Sequence, residues 1–398
     1  MTVMRSLTAV RSLLIALAAL SLLAVSPAAG AQAKVKRVPP NFMGVVGDGP
    51  LLSGDFDLGG QLDRMVPNGV QSMRTVFNWA AAQPYESFTQ VPPDQLTRFR
   101  NEDGVPTDWS PSDHVVLEAA QRRISILPVI MVAPVWAARH PGEFASPPSD
   151  PKEYASFCGS LARRYGPGGS FWTEHPEISA MPLRSWQVWN EPSFNTFWSD
   201  QPFAEDYVEL LRDARIAVKS VDPKATVVLA GLPNKSWTSL EKIYKAGGRK
   251  FFDVAAFHPF TAKVDGVKTI LERDRKVMAK YKDSRKPLWV TELSWTSSKG
   301  KTTINYGNEQ TEKGQGKMLA AAFNMLAKQR GRLRIGRAYW YTWLSRDRQR
   351  DYPFDWAGLS KIVKGKIKGK PALTSFKRTA LSLQGCRSKK GRADRCAS

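Results

Sequence analysis

Two glutamates sit where this chain can do chemistry. Glu191 closes the run Trp186-Gln187-Val188-Trp189-Asn190 and precedes Pro192, and Glu292 lies within Pro287-Leu288-Trp289-Val290-Thr291-Glu292-Leu293-Ser294-Trp295. Each run is apolar, β-branched and aromatic, the pattern of a buried strand. Two strand-end carboxylates about a hundred residues apart suit a parallel barrel whose functional groups gather at one mouth. Carboxyl groups facing each other across one bond are the equipment of glycoside cleavage: one donates a proton to the leaving oxygen, and the other attacks carbon or activates water. The plain structural alternative for either residue is a solvated carboxylate at a strand end.

Asn190-Glu191-Pro192 after a Trp-rich strand, with Thr291-Glu292 late in the chain, resembles the retaining glycoside hydrolases of clan A, particularly family 39 and the cellulase-like members of family 5. The pattern covers roughly residues 41–382. The resemblance implies a (β/α)8 TIM barrel forming a single catalytic domain. It also implies hydrolysis of β-linked glycosides or polysaccharides by double displacement, with Glu191 as general acid/base, Glu292 as nucleophile and no cofactor or metal. By the same resemblance Arg74 steadies the nucleophile, Asn190 bonds the sugar 2-hydroxyl and Trp343 is a platform under the sugar. The family pattern often reads His-Pro-Tyr where this chain has His258-Pro259-Phe260, so the phenol's role falls vacant or passes to another residue, such as Tyr341. Trp136, Trp198, Trp295 and Trp340 also lie near expected strand ends, and indole faces stack on the C–H faces of sugars. Trp189, two residues before Glu191, points into the core instead. Two other readings share these residues: a degenerate barrel that binds carbohydrate at a cell surface, and a transglycosylase.

The elements that must position these groups alternate in type. Strands are expected at 41–47, 70–77, 125–132, 186–190, 225–231, 252–258, 288–292 and 337–344. Helical patterns occur at 58–66, 110–123, 153–165, 203–220, 314–329 and 372–383. Short apolar strands alternating with helices argue for a parallel sheet with helices outside, and eight strands favour a closed ring. Ser110-Pro111-Ser112-Asp113 is a helix start, with a hydroxyl cap and proline in the first turn. The Pro- and aromatic-rich stretch 78–107 is long for a plain loop and is expected to wall a substrate cleft.

At both ends the composition changes. Arg5 and Arg11 precede the apolar run from Leu13 to Val25, and Ala29-Gly30-Ala31 follows, the layout of a secretory signal peptide over 1–31. The barrel domain is expected over 32–384, a basic tail over 385–398, and the mature chain outside the cell or at its wall, with no membrane span. Lys and Arg outnumber Asp and Glu by 58 to 36, for a net charge of +22. An exported chain so charged meets anionic polymer or a cell surface more readily than nucleic acid, and solubility alone is an equal reading. The three cysteines divide into Cys158 on a helix face, expected as a buried free thiol, and Cys386 and Cys396, which can pair in an oxidising compartment. The four histidines, His114, His140, His175 and His258, show no metal-ligand spacing.

If the basic tail serves binding, retention on an anionic polysaccharide column should fall steeply with salt. Ending the chain after Leu383 should weaken that retention and leave turnover of a neutral substrate nearly unchanged. Equal retention of the two forms assigns the charge to solubility.

Overall fold

The structure is a computed structural model, and it describes residues 37–386. The expected signal peptide, most of the basic tail and Cys396 lie outside the described residues. Cys386 is disulfide-bonded, and Cys158 is a buried free thiol.

Eight parallel strands form the barrel: β1 Met43–Val46, β2 Ser72–Asn78, β3 Ser125–Met131, β4 Ser185–Val188, β5 Thr226–Val228, β6 Ala255–Phe257, β7 Leu288–Leu293 and β8 Ile335–Trp340. Hydrogen-bonded pairing runs β5-β4-β3-β2-β1-β8-β7-β6. Parallel bridges Val228↔Val254 and Leu232↔Phe257 join the two ends, closing the ring. One principal helix follows each strand: α1 Leu58–Met65, α2 Ser110–Gln121, α3 Pro151–Tyr165, α4 Ala204–Val221, α5 Ser236–Lys245, α6 Val264–Lys280, α7 Glu312–Leu333 and α8 Pro371–Gln384. The expected (β/α)8 architecture is therefore present. The sequence pattern did not single out α5 and α6. α5 is entered through Lys235 in a left-handed conformation (φ 57°) with no side-chain cap, and α6 likewise lacks a side-chain cap.

Two apolar clusters hold the barrel. The larger lies between strands and helices and includes Trp79, Trp186, Trp189, Trp198, Trp295, Trp340 and Trp343, all fully or nearly fully buried. The smaller joins Val46, Leu127, Val228, Ala256, Trp289 and Tyr339 from six of the eight strands. The stretch 78–107 folds into a short helix at Trp79–Ala82, 3-10 turns and a hairpin pairing Arg100–Glu102 with Val105–Thr107.

Two tyrosines fasten the strand ends beside Glu191. Tyr154 donates from α3 to the carbonyl of Ile130 at 2.7 Å. Tyr207, on α4, donates to the Val188 carbonyl at 3.0 Å and accepts from the Ala230 amide at 2.8 Å. Both phenols are fully buried, and burial pushes both well above their ordinary pKa. Tyr207→Phe leaves the Val188 carbonyl and the Ala230 amide without this partner. It should cost about 1–3 kcal/mol in urea unfolding, as expected for buried polar groups left unsatisfied, with the far-ultraviolet circular dichroism unchanged.

Candidate active site

At the C-terminal ends of β4 and β7 the chain leaves regular geometry, and this is how the functional side chains converge. After β4, Trp189 and Glu191 both take positive φ values, 66° and 42°, which are unusual for residues with side chains and are kept only where surroundings impose them. The Trp189 amide bonds the Ile130 carbonyl at 3.0 Å, and the Glu191 amide bonds the Gly231 carbonyl at 3.1 Å. The indole of Trp189 is anchored on the Phe197 carbonyl at 2.7 Å. So held, Asn190 and Glu191 both reach the mouth. In β7 the pairing with β8 passes from Val290↔Ala338 to Leu293↔Trp340, so Thr291 and Glu292 together oppose the single residue Tyr339. This bulge re-aims side chains that a regular strand would send to opposite faces.

Arg74, from β2, is the hub. Its guanidinium is 1% exposed, and it donates to Gln187 Oε1 at 2.7 Å, to Glu292 Oε1 at 2.7 Å and to Asn190 Oδ1 at 2.8 Å. Gln187 donates in turn to the Leu229 carbonyl at 3.0 Å. His258, just after β6, is fully buried, with Nδ1 2.6 Å from Glu191 Oε1 and Nε2 3.0 Å from Thr291 Oγ1. The imidazole lies so close to Gly231 that a Cβ there would stand 1.9 Å from Nε2. Glycine at 231 is thus a condition of the histidine's position.

The two carboxyls differ in environment. Glu292 forms the ion pair with Arg74. Burial raises its pKa, with Glu191 and Asp48 adding to the rise and His258 and Arg74 pulling it back. Glu191 lacks such a partner, and burial pushes its carboxyl up to about 8 against the pull of Arg74. Burial also pushes the His258 imidazole down to about 3, with Glu292 opposing and Arg74 reinforcing the fall. At neutral pH Glu191 is therefore the proton holder and His258 is neutral. Pairs of groups whose environments drive their pKa values apart are how acid and base roles are divided.

Oxygens of Glu191 and Glu292 and a ring nitrogen of His258 all lie within 4.8 Å of one another. This trio has the atoms to hold a cation. The Arg74 guanidinium at 2.7 Å from Glu292 already supplies the positive charge there, and a metal ion would meet its repulsion.

A cavity of about 1030 Å³ opens over these groups. Of the residues expected at the site, Arg74, Asn190, Glu191, Glu292 and Tyr341 line it, and His258 stands behind the carboxyls. The tryptophans do not. Trp343 is fully buried, its indole N–H on Gln61 Oε1 at 3.3 Å. Trp136 packs edge-on to Trp79 and donates to the Gln83 carbonyl at 2.8 Å. Neither indole is among the residues that line this cavity, whose aromatic lining is phenylalanine and tyrosine. The stretch 78–107 contributes Asn78, Ala81 and Ala82, while its Tyr85 and Phe88 lie elsewhere.

Gln187, Thr291 and Asp48 escaped the sequence reading. Gln187 and Thr291 were visible as polar residues inside apolar strands, which need partners when buried. Asp48 follows β1, accepts from Thr75 and from the Val76 amide at 3.2 and 3.0 Å, and lines the cavity. Its carboxyl is raised by burial despite Arg74 and these two bonds.

Neither a protein-family model nor a curated protein sequence matches the chain. Solved structures do. A family 39 glycoside hydrolase from Bacteroides cellulosilyticus WH2 superposes with a TM-score of 0.61 at 20% identity, over 86% of this chain and 64% of that one. This chain thus spans less than two thirds of that protein. A monomeric β-xylosidase from Caulobacter crescentus CB15 gives 0.61 at 17% identity, over 90% and 70%. A family 39 enzyme from Xanthomonas axonopodis pv. citri gives 0.60 at 18%, over 90% and 69%. At these identities the likeness establishes a shared barrel.

The raised carboxyl of Glu191 carries a stability cost with a defined sign. The group is held protonated in the folded chain up to about pH 8 and ionises near its ordinary 4.5 when unfolded. Its stabilisation is therefore complete below about 4.5 and is lost as pH rises to about 8. Between pH 6.5 and 8, Tm of the wild type should fall relative to Glu191→Gln. Parallel curves would show that Glu191 is ionised in the folded protein.

Proposed function

We propose that the chain is a retaining glycoside hydrolase acting on β-linked glycosides. The observation that carries this is the carboxyl pair at the barrel mouth, with oxygens within 4.8 Å. Retaining enzymes hold their two carboxyls roughly 5–5.5 Å apart, whereas inverting ones leave a wider gap for water. The environments support the division of labour. Glu191 keeps its proton for the leaving oxygen, and Glu292, ion-paired to Arg74, attacks the anomeric carbon.

In the first step the proton of Glu191 passes to the glycosidic oxygen as the bond to carbon breaks, and a Glu292 oxygen forms the new bond to that carbon. In the second, Glu191, now ionised, takes a proton from water as the water oxygen displaces Glu292. Asn190, fixed by Arg74 at 2.8 Å, keeps its amide N–H2 for a sugar hydroxyl. His258 shares a short hydrogen bond with Glu191 and orients its carboxyl. Secretion, and a contact of the basic tail with anionic polymer, belong to the same proposal and rest on the sequence features alone.

The roles separate under substitution. Glu292→Gln should abolish turnover of every glycoside. Glu191→Gln should slow substrates with poor leaving groups about 10²–10⁴-fold yet spare the first step of an activated aryl glycoside, which then shows a burst. Azide should rescue Glu191→Ala with retained product and Glu292→Ala with inverted product, read by nuclear magnetic resonance. Swapped stereochemistry reverses the assignment, and full activity in both variants rejects the pair.

A further inference from the structure

We infer that the leaving-group side of the cleft is built for a bulky apolar aglycone rather than for another sugar; this rests on the hydrolase reading above. In a retaining enzyme the departing group must lie against the proton donor, so the residues around Glu191 mark its side. The turn that carries Glu191 is closed by the Phe194 amide on the Glu191 carbonyl at 3.0 Å. From this turn Phe194, Thr196 and Phe197 line the cavity, while Ser193 and Asn195 do not. Phe144, on the loop between β3 and α3, joins them, edge-on to Phe197 at 6.5 Å.

Two of these rings are held open to solvent at the rim. Phe144 is 58% and Phe194 43% exposed, and with Phe197 they make an apolar patch of the kind that marks a binding surface. Beyond Asn190 and Glu191, which belong to the reacting centre, the side chain with a hydrogen-bonding group that these two loops bring to the cavity is Thr196. A sugar in this place would lose the hydration of several hydroxyls and regain few bonds, and that exchange is unfavourable. An alkyl, terpenoid or aryl group would cover the rings and gain by doing so.

The test uses the full chain. A panel of 4-nitrophenyl β-glycosides first identifies a sugar that the enzyme cleaves. Alkyl β-glycosides of that sugar, from methyl to octyl and below their micelle concentrations, are then compared with β-linked oligosaccharides of the same sugar. The expected result is kcat/KM rising with chain length, by up to about fourfold per buried methylene, and exceeding the oligosaccharides by the octyl member. The double variant Phe144→Ser, Phe194→Ser should flatten the series, lowering the octyl-to-methyl ratio at least tenfold. A flat wild-type series, a series unaltered in the double variant, or best turnover on oligosaccharides overturns the apolar aglycone and leaves the hydrolase standing. No turnover on any aryl glycoside overturns the hydrolase reading and this inference with it.

Discussion

A buried guanidinium with no counter-charge is among the least tolerable things a protein core can contain, and the active end of this barrel is arranged around satisfying one. The fork of Arg74 is planar and rigid, so its three partners must come to it. Gln187 and Asn190 arrive from the fourth strand and the turn after it, and Glu292 from the seventh. Each bond fixes a residue with a further duty. Gln187 ties across to the Leu229 carbonyl, Asn190 has its Oδ1 occupied by the guanidinium, and Glu292 is held in an ion pair. The geometry of the candidate site is in this sense a consequence of electrostatic satisfaction.

The second carboxyl follows from the same constraint by exclusion. Glu191 lies close enough to feel Arg74 but shares its hydrogen bond with His258, a group that burial keeps neutral. One Arg serves one Glu directly, and the other is left to hold its proton. Two residues of the same type thus meet different environments, one ion-paired and one not, without any difference in their own chemistry. The backbone bears the expense, in positive φ values at Trp189 and Glu191 and in the bulge at Thr291 and Glu292. Buried phenols, an indole N–H and an obligatory glycine at 231 hold that irregular backbone in place.

Around this polar floor the cleft is aromatic, and the kind of aromatic residue is informative. Tryptophan, with its N–H donor, is spent inside, where Trp189, Trp340 and Trp343 each find a hydrogen-bond acceptor. The walls carry phenylalanine beside the proton donor. A second cluster surrounds Phe354, which touches Phe260, Tyr306, Tyr341 and Tyr352. Phe260, which lacks the phenol that the resemblance led one to expect, belongs to that cluster. Tyr341 faces the cavity, its hydroxyl raised by burial, by Tyr352 and by the carboxylate of Glu292.

Much of this was legible from residues alone. The alternation of short apolar strands with helical patterns specifies a parallel barrel, because each strand end must be carried back across the outside before the next can pair. Within that frame Glu191, Glu292 and His258 stood out from strand-end position, since a parallel barrel brings all its strand ends to one rim, whereas Arg74 and Asn190 were named through the family resemblance. Three things could not be read this way. Helices α5 and α6 were not singled out from the sequence, though they are capped no worse than α1, α4 and α8, which were. The placement of Trp136 and the burial of Trp343 depend on how helices and loops pack over the strands, and an indole near a strand end looks alike whether it meets sugar or core. The different environments of the two glutamates, and the reach of Thr291 and Glu292 to one site, come from a bulge and from a single arginine's choice of partner. Those are contacts between strands far apart in the chain, and only the closed ring brings them within bonding distance.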